Sequence, residues 1–400
     1  MPSDLSLLNC RLINQTGLFD ITITNGQIST IQSHSEVALG NQQAINAGGN
    51  LVMPSFVNPH LHLCKVYTLQ RMDEAALREY HAADMGKAMT AIELAARVKA
   101  DYDISWILPN VRRALNEALE YGCTHIRAFA DVDGKARLEG VKALLAAREE
   151  FKDRLTLQVV AFAQDGIVKE PAARDLLIQA MELGADVVGG IPWIELTDAD
   201  IQEHIRFIFD LSVKYDKDVS MLVDDAGDPG LRSLEGMILE TIRRNWHGRS
   251  LAHHARAMSM YPTPYLQKII TLLKQADMGI VTDPHTGPLH ARVKELLAEG
   301  ALVCLGQDDI SDAYYPYGRN NMLEVAFLAS HLLWMTSSAD MQTLLQMVTT
   351  NAARAINIRD YGLEVGKTAN LVILDQANLT EIMRYHAAPL HVISHGQLIH

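Results

Sequence analysis

Cysteine is scarce in this sequence. Four occur among 400 residues, Cys10, Cys64, Cys123 and Cys304, and no two have CxxC spacing. That argues against a disulfide framework and against a structural zinc site built on thiolates. Long apolar runs are missing as well. None reaches 18 residues, so no membrane-spanning helix is expected. The opening MPSDLSLLNC has neither the basic nor the apolar region of a signal peptide, and a cytoplasmic protein is expected. Basic clusters are absent too. The 35 Lys and Arg stand against 48 Asp and Glu, giving a net charge of −13 and a pI near 5.6. Nucleic-acid binding normally needs the opposite balance, so no such partner is expected. No GxGxxG follows a strand-like run, which argues against an open dinucleotide-binding sheet. Low-complexity stretches and long linkers are also lacking.

What remains is ordinary globular composition, 48% hydrophobic and 21% charged, in a chain long enough for a large core. Its texture changes along the chain. The first fifty residues hold short β-type runs broken by Asn-Gly and Gly-Gly, such as FDITITNGQISTIQS. Asn25-Gly26 between alternating apolar positions is a hairpin signal. The last forty, with TANLVILD and PLHVISHGQLIH, repeat that texture. Residues 1–53 and 359–400 are therefore expected to form one small composite β-sandwich. The middle alternates strand-like and helix-like runs, with roughly 25 to 45 residues per unit, which implies βα units around a parallel sheet. About eight strand-like runs can be counted, from LVMPSFVNPHLH to ALVCLGQDD. An α/β fold follows, a (β/α)8 TIM-type barrel over 54–358.

In such a barrel the chemistry gathers at the C-terminal strand ends. The first strand ends in His60 and His62, whose i, i+2 spacing puts both imidazoles on one strand face. Later strands end in Gln164 and Asp165, Trp193 and Glu195, Asp224 and Asp225, His253 and His254, Asp283 and His285, and Asp308 and Asp309. Singly these are ordinary: an Asp after a strand usually caps a helix, and a strand-end Trp or His usually packs. Together, histidines from the first strand, one from a later strand and an aspartate from the last would converge above the barrel. Three or four N/O ligands with an open position suit a catalytic zinc or iron ion.

The stretches FVNPHLHL, QVVAFAQDGI, LGADVVGGIPWIE, GRSLAHHARAM, LGQDDISDAYYPYGRNNMLEVA and TTNAARAINIRDYGLEVGKTANLVIL carry a resemblance. They are similar to the cytosine deaminase branch of the amidohydrolase superfamily, which also includes the N-isopropylammelide hydrolase of triazine breakdown. The resemblance runs nearly end to end. It implies metal ligation by His60, His62 and Asp308, with Asp308 also taking a proton from the attacking water. It implies that His254 contacts that water or the substrate, that Gln164 binds an amide edge of the ring, and that Tyr314 lies over the substrate. Trp193 and His285 complete the expected substrate pocket.

Two departures stand out. The family pattern His-x-x-Glu reads Leu222-Val-Asp-Asp225 here, so one metal ligand is lost and the proton shuttle is one methylene shorter. The third-strand Thr-His of many members is Ala128-Phe129. A single divalent transition metal, Zn or Fe, is therefore expected, weakly held for want of the ligand at 222 and completed by His254 or Asp225. Asp308, His254 and Asp225 are the expected proton carriers. The implied activity is hydrolysis of a C–N bond on a small cyclic nitrogen compound, a pyrimidine or triazine, by a homo-oligomer. The alternatives are a degenerate relative that binds without turnover and a cyclic amidohydrolase. The bimetallic form of the latter wants a strand-end lysine in mid-barrel, and none is visible. Lys65 reads as a partner for a barrel-mouth carboxylate, and Cys64 as a small buried filler.

Overall fold

The computed structural model describes residues 4–35, 43–71 and 97–400. Strands β1 (Leu5–Cys10), β2 (Phe19–Thr24), β3 (Gln27–Ser33) and β4 (Gln43–Asn46) form a sheet of order β3-β2-β1-β4. The β2–β3 turn is Asn25-Gly26, with φ of 52° and 80°. Left-handed φ at both turn residues matches the twist of the flanking strands. A second small sheet mixes the two ends of the chain. Strand β5 (Val52–Pro54) pairs antiparallel with β14 (Leu371–Ile373), and β15 (His391–Ser394) and β16 (Gln397–Leu398) follow. The two sheets share one core that includes Leu7, Ile21, Ile23, Val52, Leu371, Ile373 and Ile393.

Eight parallel strands make the barrel in chain order: β6 (Phe56–Leu61), β7 (Cys123–Asp131), β8 (Thr156–Ala163), β9 (Val187–Gly190), β10 (Asp218–Val223), β11 (Ser250–His254), β12 (Gly279–Thr282) and β13 (Val303–Leu305). Helices cover their outer faces. All nine residues of β7 are buried, as expected for parallel strands covered on both sides. The apolar run LVMPSFVNPHLH, expected as one strand, divides at Ser55. Its first part joins the end sheet and its second starts the barrel. The Tyr361 hydroxyl donates to the Ser55 carbonyl at this junction.

The seam of the barrel is what positions the site. Leu61 bridges to Asp308 in parallel fashion. The Asp308 N–H donates to the His60 carbonyl at 3.0 Å, and the His62 N–H to the Asp308 carbonyl at 2.8 Å. Asn58 Oδ1 accepts from the backbone N–H of His60 and of Gln307, across the same seam. Gly306 has to be small: a Cβ there would lie 2.7 Å from the His60 Cβ. Among the described residues no helix is long and apolar enough to cross a membrane.

Candidate metal centre

Three strands deliver four side chains to one point. His60, His62, His254 and Asp308 are all buried, and their ligand atoms lie within 4.8 Å of one another. The Nε2 atoms of the three imidazoles surround Asp308 Oδ1, at 2.9 Å from His60, 3.7 Å from His62 and 4.0 Å from His254. Strand alternation alone would not aim them so. His254 and Asp308 have φ of 67° and 69°, a left-handed conformation uncommon for residues other than glycine. Asp224 does the same with φ of 46°. That kink turns Asp224 outward, where it accepts from the Ser233 and Leu234 N–H groups and from Tyr261. Asp225 faces inward instead, with Oδ2 4.0 Å from His254 Nε2.

Behind the cluster runs a chain of charges. His254 Nδ1 lies 2.8 Å from Asp283 Oδ1. Arg256 donates to Asp283 Oδ2 at 2.7 Å and to Asp225 Oδ1 at 2.8 Å, and its Nη2 is 3.7 Å from Asp308 Oδ2. Burial works against charge on His254, but Asp225, Asp283 and Asp308 outweigh it and raise the imidazole to about 9. Burial holds His60 and His62 below the ordinary imidazole range, and at His60 the pull of Asp308 opposes it only in part. Burial also lifts Asp225 above the usual carboxylate range despite Arg256. Asp308 is held below that range because His254 and His60 outweigh burial and Asp283.

The donor set fits a transition metal. With Nδ1 of His254 engaged by a carboxylate, its Nε2 is left to ligate, a common arrangement around metal-bound histidines. Three nitrogens and one carboxylate oxygen match the preferences of zinc and iron. Leu222 contributes nothing to it. The leucine packs with Phe129, Phe162 and Trp193 in an apolar layer beneath the histidines.

The other expected residues occupy distinct places. Gln164 Oε1 accepts from Lys65 Nζ at 3.0 Å, and Lys65 also lies 3.8 Å from Asp131 and 4.8 Å from the centre of the Tyr314 ring. Lys65 thus meets both a barrel-mouth carboxylate and two expected substrate contacts. A small cleft opens here, lined by Lys65, Lys99, Tyr102, Asp131, Asp312 and Tyr314 among others. Trp193 forms part of the apolar layer, and its Nε1 has no partner among the described residues. His285 Nε2 lies 3.2 Å from the Gln307 carbonyl, and its ring packs on Tyr315. Glu195 is structural: it accepts from the N–H groups of Ile167, Val168 and Lys169 and from His204. Arg256 and Lys99 were not expected. An arginine just past a strand and a lysine ahead of a helix both read as surface cations. Yet Lys99 is buried and donates to Asp133 and Asp165 at 2.9 and 2.6 Å.

Known proteins share this arrangement of chain. The 5-methylcytosine deaminase of Klebsiella pneumoniae, solved with phosphonocytosine, is 33% identical, with a TM-score of 0.90 over 99% of this chain and 98% of that one. An N-isopropylammelide isopropyl amidohydrolase from a Pseudomonas species is 29% identical over 399 residues, covering 99% of this chain and 97% of its own. The N-isopropylammelide isopropylaminohydrolase of Burkholderia multivorans, at 23% identity and a TM-score of 0.86, shares the fold over 99% of this chain and 98% of its own. The amidohydrolase family matches residues 43–400, and the chain is a member of that family of metal-dependent hydrolases.

Proposed function

We propose that this protein hydrolyses an exocyclic C–N bond on a small aminopyrimidine or aminotriazine, releasing ammonia or an alkylamine. The observation that carries the reading is the buried ring of three imidazole Nε2 atoms around Asp308 Oδ1. Its support from relatives is the deaminase at 33% identity, solved with phosphonocytosine. His60, His62, His254 and Asp308 would hold the metal, zinc or iron, less tightly than a site that also had a histidine at 222. The chemistry such a metal supplies when bound is acidification of a water toward neutral pH.

The remaining work falls to the protein. Asp308 takes a proton as the water oxygen attacks the ring carbon. Asp225, held above the usual carboxylate range, delivers a proton to the departing nitrogen. Water's O–H bond breaks, C–O forms, C–N breaks, and the amine leaves with the proton. Gln164, with Oε1 occupied by Lys65, has its Nε2 left to donate to a ring carbonyl. Tyr314 covers a ring face, and Trp193 and His285 line the wall and rim. We take residues 1–53 with 359–400 and 54–358 as the two domains, and the protein as a cytoplasmic homo-oligomer without nucleic-acid partners, which sedimentation and fractionation test.

Leu222 favours a second reading, a ligand-binding relative without turnover. Amine release from cytosine, 5-methylcytosine and amino-triazines by the metal-loaded protein decides between them. Release supports hydrolysis, and a bound but unchanged ligand supports the second reading.

A further inference from the structure

Arg256 takes no part in the bond-breaking steps, yet it is buried among the groups that do. Burying a guanidinium is costly unless charged acceptors meet its donors. Here they meet it in a particular division. Nη1 donates to Asp225 Oδ1 at 2.8 Å. Nη2 donates to Asp283 Oδ2 at 2.7 Å and to Thr286 Oγ1 at 2.6 Å. The other oxygen of Asp283 lies 2.8 Å from His254 Nδ1. One guanidinium thus ties the carboxylate behind a cluster histidine to the carboxyl of Asp225.

Asp225 has a need that this tie meets. It is one methylene shorter than the glutamate at this place in the resembled family, so its carboxyl has less reach. With Oδ1 held by Arg256, Oδ2 is the oxygen turned toward the cluster, 4.0 Å from His254 Nε2. The backbone keeps the two residues in step. The Ala255 N–H donates to the Val223 carbonyl at 3.1 Å, and the Ala257 N–H to the Asp224 carbonyl at 2.9 Å. The chain on either side of Arg256 is therefore stitched to the two residues that lead into Asp225.

We propose that Arg256 is a positioning residue for Asp225: anchored on Asp283 and Thr286, it holds Oδ1 and leaves Oδ2 aimed at the departing nitrogen. This rests on the reading of Asp225 as the proton carrier. It goes beyond that reading in assigning the residue that aims it. The planar fork is essential to the task, because two nitrogens serve two carboxylates at once, which the single ammonium of a lysine does not reproduce.

The test is a double-mutant cycle on the zinc-loaded protein, with amine release from cytosine, 5-methylcytosine and amino-triazines as the assay. Parent, Arg256→Lys, Asp225→Asn and the double variant are compared, with zinc per chain and thermal melts measured on each. Arg256→Gln takes the place of the lysine variant if that one folds poorly. Arg256→Lys is expected to keep its zinc and a KM within about threefold of the parent, while kcat falls about a hundredfold, the size of effect a 1 Å misplacement produces. Because Arg256 acts through Asp225, the double variant is expected to turn over no more slowly than Asp225→Asn alone. Independent roles would multiply the two losses. Multiplied losses, a kcat for the folded Arg256 variant within about threefold of the parent, or loss of zinc from that variant each overturn the inference while leaving the proposed hydrolysis in place. A zinc-loaded parent that releases no amine overturns both together, so the two failures are distinguishable.

Discussion

At the scale of single residues, the account depends on groups that can be removed without touching the fold. Asp308 is both the hub of the three imidazoles and part of the barrel seam through its backbone. Its carboxylate takes no part in the seam, so Asp308→Ala should fold and lose the metal. His60→Ala should behave alike, because two nitrogens and a carboxylate make a weak site. Metal content per chain after loading and desalting checks both, with a drop from about one to near zero expected. Asp225→Asn is the complementary variant. It keeps the hydrogen-bond acceptor for Arg256 and removes the proton carrier. Turnover should fall about a hundredfold or more, with metal content unchanged. Intact turnover in that variant would move the proton route to Asp308. Which residues were readable beforehand follows from their chemistry. A histidine pair at the first strand's end and an Asp-Asp after the last are readable together, because the barrel brings strand ends to one face. Arg256 and Lys99 did not stand out, because only the fold shows that they are buried against Asp225 and Asp283 or Asp133 and Asp165. The inward aim of Asp225 was expected from the sequence, but the left-handed conformation at Asp224 that produces it is visible only in the fold.

At the scale of elements, the barrel strands were readable from their apolar runs and the helices from their spacing. The division of LVMPSFVNPHLH was not. The expected boundary between residues 53 and 54 falls inside this run, but nothing in the sequence marks Ser55 itself as the corner between two sheets. The hydrogen bond from Tyr361, three hundred residues away, is part of what holds that corner. The loops after the strands are held by buried carboxylates of the kind seen at Glu195. Burial opposes its charge, but His204 and the N–H groups of Ile167 and Lys169 win and bring it down to about 2. A folded-state pKa below the unfolded one gives stability that is present above the unfolded value, near 4.5, and is lost as the pH falls toward 2. Glu195→Gln should therefore destabilise the protein by about 2 kcal/mol at pH 7. The gap to the parent should close on acidification from pH 5 to 2. Urea midpoints across that range measure it, and a gap independent of pH would remove the charge from the explanation.

At the scale of the whole molecule, the two ends of the chain complete one another. Strand β5 pairs with β14, and the shared core draws on Leu7, Ile21 and Val52 from one end and Leu371, Ile373 and Ile393 from the other. A chain cut after residue 358 would leave the first-end core half covered and β5 unpaired. It should be insoluble or aggregate, whereas adding the 359–400 segment in trans should recover part of the soluble material. Soluble yield with and without the segment checks this, and a stable, monodisperse truncation would show that the β elements of the two ends are separable. The barrel presents His60, His62, His254 and Asp308, a candidate metal-binding cluster, from three strands at its C-terminal face. The central claim is thus the activity itself. It is tested most directly by amine release from cytosine, 5-methylcytosine and amino-triazines by the zinc-loaded protein, before and after chelation. The account predicts ammonia or alkylamine from at least one of them, abolished by the chelator and restored by added metal. No release from any of these compounds by protein that demonstrably carries its metal would contradict it.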